Sequence, residues 1–256
     1  MSEGPQVKLK TEWLHRRLAG REVLDCQAAM PSVQAFPDGL RGRCVREAFC
    51  KGKHIFIAFD GDVTVHNHLL MRGRWRKEGG QLLFLHPGDW LSLYVGPYTV
   101  VNSGGQMLRL ESPDETAAAL ARLGPDAMAL PYPADAIADG LRGSALPIAE
   151  ALLDQALVCG LGNTARSEAL FEAGLDPRLS SGNLSPAQFD RWHEAVQRVL
   201  WESYRHGGRW TCHVYRRDRR PCTVCGVHVV RSRLKPSGRS IYFCPRCQTD
   251  VGSEGP

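Results

Sequence analysis

The residues best spaced to do chemistry are four cysteines in two tight pairs, C-T-V-C at 222–225 and C-P-R-C at 244–247, with eighteen residues between them. Thiolates two residues apart can share one tetrahedral ion, and an intervening loop of this length lets a hairpin bring the second pair opposite the first. Zinc is expected on Cys222, Cys225, Cys244 and Cys247. Four cysteines leave no open coordination position for water, so its role is structural. The other five cysteines are scattered, which suits a metal site in a reducing compartment better than a disulfide framework. Between the pairs VHVVRSRL and RSIYF alternate like strands, predicting a β-hairpin zinc finger with Arg239, in the turn SGRS, at its tip.

A second signal is LLDQALVCGLGNTARSEALF. Glycines on a turn that opens a helix offer backbone N–H groups to an anion, so this segment predicts a phosphate contact. The third is SEGPQ at positions 2–6, which sets a small residue, an acid, Gly and Pro directly before the first amphipathic helix. Basic charge gathers near the cysteines: eleven Lys or Arg and one acid, Asp218, lie between Arg205 and Arg246, although the whole chain carries only +5. A basic run around a metal site favours a nucleic-acid surface over a merely solvated face.

These residues need a scaffold, and 256 residues that are 43% hydrophobic and 23% charged are enough for one large domain or two to three small ones. There is no signal-peptide pattern and no long apolar run, so a cytoplasmic protein is expected, nucleoid-associated in a bacterium. Val7, Leu14 and Leu18 lie on one stripe of a helix over 7–19. Short strands are then predicted at 54–60, 62–69, 81–87, 89–95 and 106–112, with Asp60-Gly61 as a hairpin turn. The proline-containing stretch 123–140 reads as a linker. Helices follow over 147–160 and over TARSEALFEAG, the latter capped by Asn163, and a third runs from the capping box at Ser185 to Gln188 to about Tyr204. The fold class is therefore α+β and multidomain: an antiparallel β-sandwich with a flanking helix (2–122), a linker (123–140), a helical domain (141–208) and a zinc finger (209–250).

Taken together, L-L-D-Q, G-x-G-N, E-A-L-F-x-A-G-x-x-P and G-R-S-x-Y-F-C-P-R-C-Q resemble the formamidopyrimidine/endonuclease VIII family of DNA glycosylases, over about residues 2 to 248. The resemblance implies a helix–two-turns–helix domain and a zinc finger that grip damaged DNA. It also gives SEGPQ a purpose. Family members begin Pro-Glu after the initiator Met; the proline amine attacks C1′ of the damaged nucleotide to form a Schiff base, and the acid helps to open the sugar. Glu3 matches the acid. Ser2 replaces the proline, yet it is small enough for Met1 to be removed, leaving a primary amine with a reference pKa of about 8 as the nucleophile. K-G-K-H looks like the family's phosphate-binding lysine segment, which assigns Lys53 to the catalytic side. Met71, in H-L-L-M-R-G-R-W, falls where the family inserts an apolar wedge into the base stack, the alternative being core packing. Asn163, Arg166 and Arg239 are implied in DNA binding. Gln6 and the absence of tyrosine after G-N bring the chain closer to the third vertebrate endonuclease VIII-like branch, and the short segment 207–222 leaves no room for a long loop over the base.

The function implied is a DNA repair glycosylase with possible lyase activity, acting on duplex or single-stranded damaged DNA, away from membranes and as a monomer, with structural zinc. A catalytically silent damage-binding protein of the same fold is the alternative, and an RNA-binding zinc protein is a third. The lesion stays open among oxidised pyrimidines, bulky adducts and interstrand crosslinks.

Overall fold

The structure, a computed structural model, describes residues 2–29, 36–105 and 107–249. Met1, Gln106 and Asp250, which entered the expectations above, lie outside them. The chain divides into two compact units, and the division does not follow chain order: Ser2 and 6–122 belong to the first, whereas 3–5 and 123–249 belong to the second.

α1 (Gly4–Leu18), whose first two residues belong to the second unit, is followed in the first by β1 (Asp25–Ala28), α2 (Phe36–Leu40), β2 (Val45–Lys51), β3 (His54–Phe59), β4 (Val63–His68), β5 (Arg74–Gly79), β6 (Asp89–Tyr94), β7 (Tyr98–Ser103), β8 (Met107–Glu111) and α3 (Pro113–Ala121). Two four-stranded antiparallel sheets form, in the orders β1-β6-β7-β5 and β2-β3-β4-β8. Alternation decides what each strand buries. Ile55, Ile57 and Phe59 of β3 and Val65 of β4 face Leu91, Leu93 and Val100 of the other sheet in one apolar core, which Val7, Leu14 and Leu18 of α1 join. The expected sandwich and its flanking helix are present. The hairpin between β3 and β4 is present, but its positive φ angles fall on Gly61 and Asp62, one position later than the Asp60-Gly61 pair expected for a two-residue turn, because Phe59 pairs with Val63 across three connecting residues.

One expected strand is absent. Residues 81–87 form a loop in which Leu83 and Phe84 are 71% and 80% exposed, because QLLFLHP has no partner strand to pair with. The strand in this region is β5, whose RWRKEG sequence is charged on its outer face and buries only Trp75.

The second unit contains α4 (Ala134–Arg142), α5 (Ile148–Ala151), α6 (Asn163–Glu172), α7 (Pro186–Arg205), and the hairpin β9 (Val230–Arg233) with β10 (Ser240–Phe243). Two expectations are corrected here. The stretch 123–140 is not a bare linker: Ala127, Met128 and Ile137 are buried in the helical core. The helix expected over 147–160 stops after Ala151. The side chain of Asp154 accepts from the Ala156 amide, while Gln155 donates to the Leu153 and Leu161 carbonyls and accepts from the Gly160 amide. Those two side chains satisfy the backbone groups that further helix would have paired, so the chain coils instead. At α7 the capping box forms as predicted, with the Ser185 hydroxyl accepting from Gln188 N–H and the Gln188 side chain accepting from Ser185 N–H. No helix among the described residues is long and apolar enough to cross a membrane.

Candidate active site

The Gly160-Leu161-Gly162 turn presents the first N–H groups of α6, as the sequence implied, but the anion they hold is part of the chain. Glu3, only 1% exposed, accepts hydrogen bonds from the amides of Gly162 (3.1 Å), Thr164 (2.9 Å) and Ala165 (3.0 Å). A helix N-terminus leaves its first amides without intrahelical partners and carries partial positive charge, so a carboxylate is the natural filler. Glycine is required at 162, because a Cβ there would sit 2.5 Å from the Glu3 carboxyl carbon. The external phosphate expected against this turn is thereby corrected to an internal carboxylate. Asn163 is the first residue of α6 and not its cap, which is Gly162, because Glu3 takes the amides a capping side chain would have received; its own side-chain oxygen is buried without a hydrogen-bond partner among the described residues.

Arg166 lies one turn further along α6 and is fully buried. Its guanidinium donates to the carbonyls of Ala149 (2.6 Å) and Ser240 (3.0 Å) and pairs with Glu150 at 3.3 Å. The DNA contact expected of Arg166 is corrected by that burial: its donors are turned inward and no surface remains for a phosphate. Glu150, itself buried, also accepts from the Ser237 amide at 2.8 Å. The pair therefore grips both sides of the turn that carries Arg239, which is exposed between β9 and β10. Nothing in the sequence separated an inward arginine from an outward one. Glu168 was missed altogether; it accepts from the amides of His213, Val214 and Tyr215, fixing the approach to the cysteine module.

The sulfurs of Cys222, Cys225, Cys244 and Cys247 all lie within 4.8 Å of one another, with 3.9 Å between Cys222 and Cys247 and 3.4 Å between Cys225 and Cys244. A tetrahedron with zinc–sulfur bonds of about 2.3 Å has edges of about 3.8 Å, so the spacing and the all-thiolate donor set fit zinc. The apolar cluster beside it is small, built on Phe171, Val214, Val229 and Tyr242. Cys244→Ser is accordingly expected to cost zinc and DNA binding together, checked by metal content and a binding titration, because metal binding supplies much of the folding free energy of such a module. Normal DNA binding by the metal-free variant would remove the module from the DNA interface.

In the first unit the backbone nitrogen of Ser2 donates to the Leu70 carbonyl at 2.9 Å. Leu70 has a positive φ of 49°, and the turn that follows is tight: a Cβ on Gly73 would lie 2.5 Å from the Leu69 carbonyl oxygen. That turn holds Met71 outward, 68% exposed. Lys53 sits in the β2–β3 turn and is 8% exposed.

Residues 1–92 match the formamidopyrimidine-DNA glycosylase N-terminal domain, and residues 123–213 match the formamidopyrimidine-DNA glycosylase H2TH domain. The chain belongs to the formamidopyrimidine-DNA glycosylase/endonuclease VIII family. Endonuclease 8 of Escherichia coli (strain K12 / DH10B) and that of Shigella sonnei (strain Ss046) are each 27% identical to it, over 97% of this chain and all of theirs. Among solved structures, a complex between the Lactococcus lactis enzyme and DNA containing an abasic site aligns with TM-score 0.86 at 22% identity, covering 97% of this chain and 100% of that one. A complex of the wild-type L. lactis protein with DNA containing N7-benzyl-Fapy-dG aligns with TM-score 0.84, also at 22% identity, covering 96% and 99%. At that identity the likeness establishes the fold.

For this family member, the exposure of Met71 removes core packing as the account of that residue. Met71→Ala is expected to leave the melting temperature nearly unchanged while lowering activity on duplex more than on single strands. A loss of about 2 kcal/mol or more in stability would mark the side chain as core after all.

Proposed function

We propose that the protein is a DNA repair glycosylase with lyase activity, in which the α-amine of Ser2, exposed by removal of Met1, is the nucleophile. The observation that carries this reading is the pairing of two adjacent residues: the Ser2 nitrogen is anchored on the Leu70 carbonyl, and the next side chain, Glu3, is a buried carboxylate fixed by three amides. A carboxylate held this firmly, next in sequence to an amine, is pre-organised for proton transfer.

The chemistry then runs as follows. The amine nitrogen bonds to C1′ as the bond from C1′ to the damaged base breaks, and the base departs as an anion that takes a proton from water. Glu3 accepts the proton that the amine nitrogen gives up and passes it to O4′ as the C1′–O4′ bond opens, leaving a C1′=N imine. Loss of a proton from C2′ then expels the 3′ phosphate, and water hydrolyses the imine to restore the amine. A primary amine in place of proline, and Gln6 in place of a second acid, favour base excision over the elimination step. Lys53, Asn163 and Arg239 are assigned to phosphate contacts, and Met71 to the gap left by the flipped nucleotide. The four cysteines hold zinc, which keeps the hairpin carrying Arg239 folded and takes no part in the chemistry. Damaged DNA is the partner.

Borohydride reduction during turnover tests the reading. It is expected to trap a covalent protein–DNA adduct that mass spectrometry places on the N-terminal peptide beginning at Ser2. Base release with no adduct, or an adduct on another residue, would refute the amine mechanism.

A further inference from the structure

The turn that carries Met71 rests against a backbone platform that the proposed chemistry has not used. β7 and β8 are joined by residues 104–106, and Gly104 and Gly105, with φ of 62° and 117°, lie directly against the Met71 turn. A Cβ on Gly105 would sit 3.1 Å from the His68 carbonyl oxygen and 3.7 Å from Gly73 Cα, and one on Gly104 would sit 3.3 Å from the Arg72 carbonyl oxygen. Only glycine lets two backbones approach this closely. Contact of that kind leaves no slack, so the Met71 turn follows any shift of the platform.

A buried ion network fixes the platform in turn. Asp89, the first residue of β6, accepts from both terminal guanidinium nitrogens of Arg76 on β5 (2.6 and 2.8 Å), from the hydroxyl of Ser103 at the end of β7 (2.7 Å) and from the His86 amide (3.0 Å). Arg76 also donates to the Ser103 hydroxyl at 2.7 Å and to Glu78 at 2.7 Å. β7 lies between β6 and β5 in the sheet, so the Arg76–Asp89 pair spans it at Ser103, the residue before the platform. Gly104 itself donates to the carbonyl of Gly88, the residue before Asp89, at 3.2 Å. Burial disfavours the Asp89 charge, but the bonds from Arg76, Ser103 and the His86 amide outweigh it and hold the carboxyl at about 2. Bidentate, charge-assisted bonds of this type combine strength with fixed geometry.

We infer that Asp89, Arg76 and Ser103 are positioning residues that clamp the end of β7, so that Gly104 and Gly105 hold the Met71 turn at the height from which its side chain enters the base stack. The inference rests on the wedge role proposed for Met71. The same turn supplies the Leu70 carbonyl that receives the Ser2 nitrogen, so wedge and amine share one support. A loss through the amine falls on duplex and single strands alike, whereas a loss through the wedge falls on duplex. The ratio of the two activities therefore isolates the wedge.

The test uses the full-length protein and DNA carrying one abasic site, as duplex and as single strand, with the rate of borohydride trapping as the readout. Asp89→Asn sets an NH2 against N–H or O–H donors that a carboxylate oxygen now receives, and is expected to lower the duplex-to-single-strand ratio on the order of tenfold. At saturation, a 2-aminopurine beside the site is expected to fluoresce as it does with Met71→Ala rather than as with the parent. In the Met71→Ala background Asp89→Asn is expected to leave the ratio where Met71→Ala alone puts it, because the network acts through that side chain. Equal losses on the two substrates, no loss, or a further fall of the ratio in the Met71→Ala background would reduce the network to a staple of the fold and overturn the inference. An unchanged ratio in Met71→Ala itself would instead defeat the wedge, and the inference with it. If Asp89→Asn does not fold, Ser103→Ala keeps the Arg76–Asp89 pair, removes only its link to β7, and is expected to give the same pattern.

Discussion

A variant with one residue inserted between Met1 and Ser2 is expected to form no borohydride-trapped adduct, while binding damaged duplex and melting as the parent does. The insertion turns the Ser2 nitrogen into a peptide amide, which is not a nucleophile, and moves the free amine about 3.5 Å along the chain. Attack requires the reacting atoms to approach to about 3–3.5 Å in line, and a misplacement of about 1 Å can cost on the order of a hundredfold, so the loss should exceed that. Stability is spared because the Ser2 nitrogen can still donate to the Leu70 carbonyl as an amide. Intact mass must establish that the added residue is retained. Full trapping by such a protein would end the case for the terminal amine, and Lys53 would become the nucleophile to examine.

Glu3→Gln is expected to lower base release by about 10²- to 10⁴-fold, the usual worth of a positioned proton-transfer group, with DNA affinity nearly unchanged. Its effect on the fold is worked out from the cradle. One carboxylate oxygen accepts from Gly162 and Ala165 and the other from Thr164, so an amide must set its NH2 against at least one N–H donor. An unsatisfied buried donor costs about 1–3 kcal/mol, so a lower melting temperature should accompany the kinetic loss. A lower melting temperature with undiminished base release would reduce Glu3 to a helix cap.

How much of this was legible depends on whether local chemistry or distant partners decided each feature. The cysteine pairs, the Ser185 capping box and the alternating strands β3 and β4 could be read because each states its own partner within a few residues. Ser2 and Glu3 needed the family resemblance to acquire roles, and the amides that receive Glu3 lie about 160 residues away. Residues 82–85 are a short apolar run of the kind that reads as a strand, but such a run does not supply a neighbour. β7 was overlooked for the opposite reason: YTVVNS is buried on both faces, so it has no alternation to detect. Asp154 and Gln155 had the right apolar spacing around them for a helix, and their side chains ended it. Arg166 was assigned to DNA by its place in the family motif, and only its burial beside Glu150 decides that it faces inward.

The membership of residues 3–5 in the second unit also bears on the order of events at the ribosome. The amino-terminal segment is made first, yet the amides of Gly162, Thr164 and Ala165 that receive Glu3 are made about 160 residues later. At about 5–20 residues per second, that is roughly ten to thirty seconds during which the terminus has no seat. A chain released before that point carries the same first five residues as the finished protein without the cradle that fixes their geometry. On the mechanism proposed above, prematurely terminated products lack a seated Glu3 and are expected to release no base.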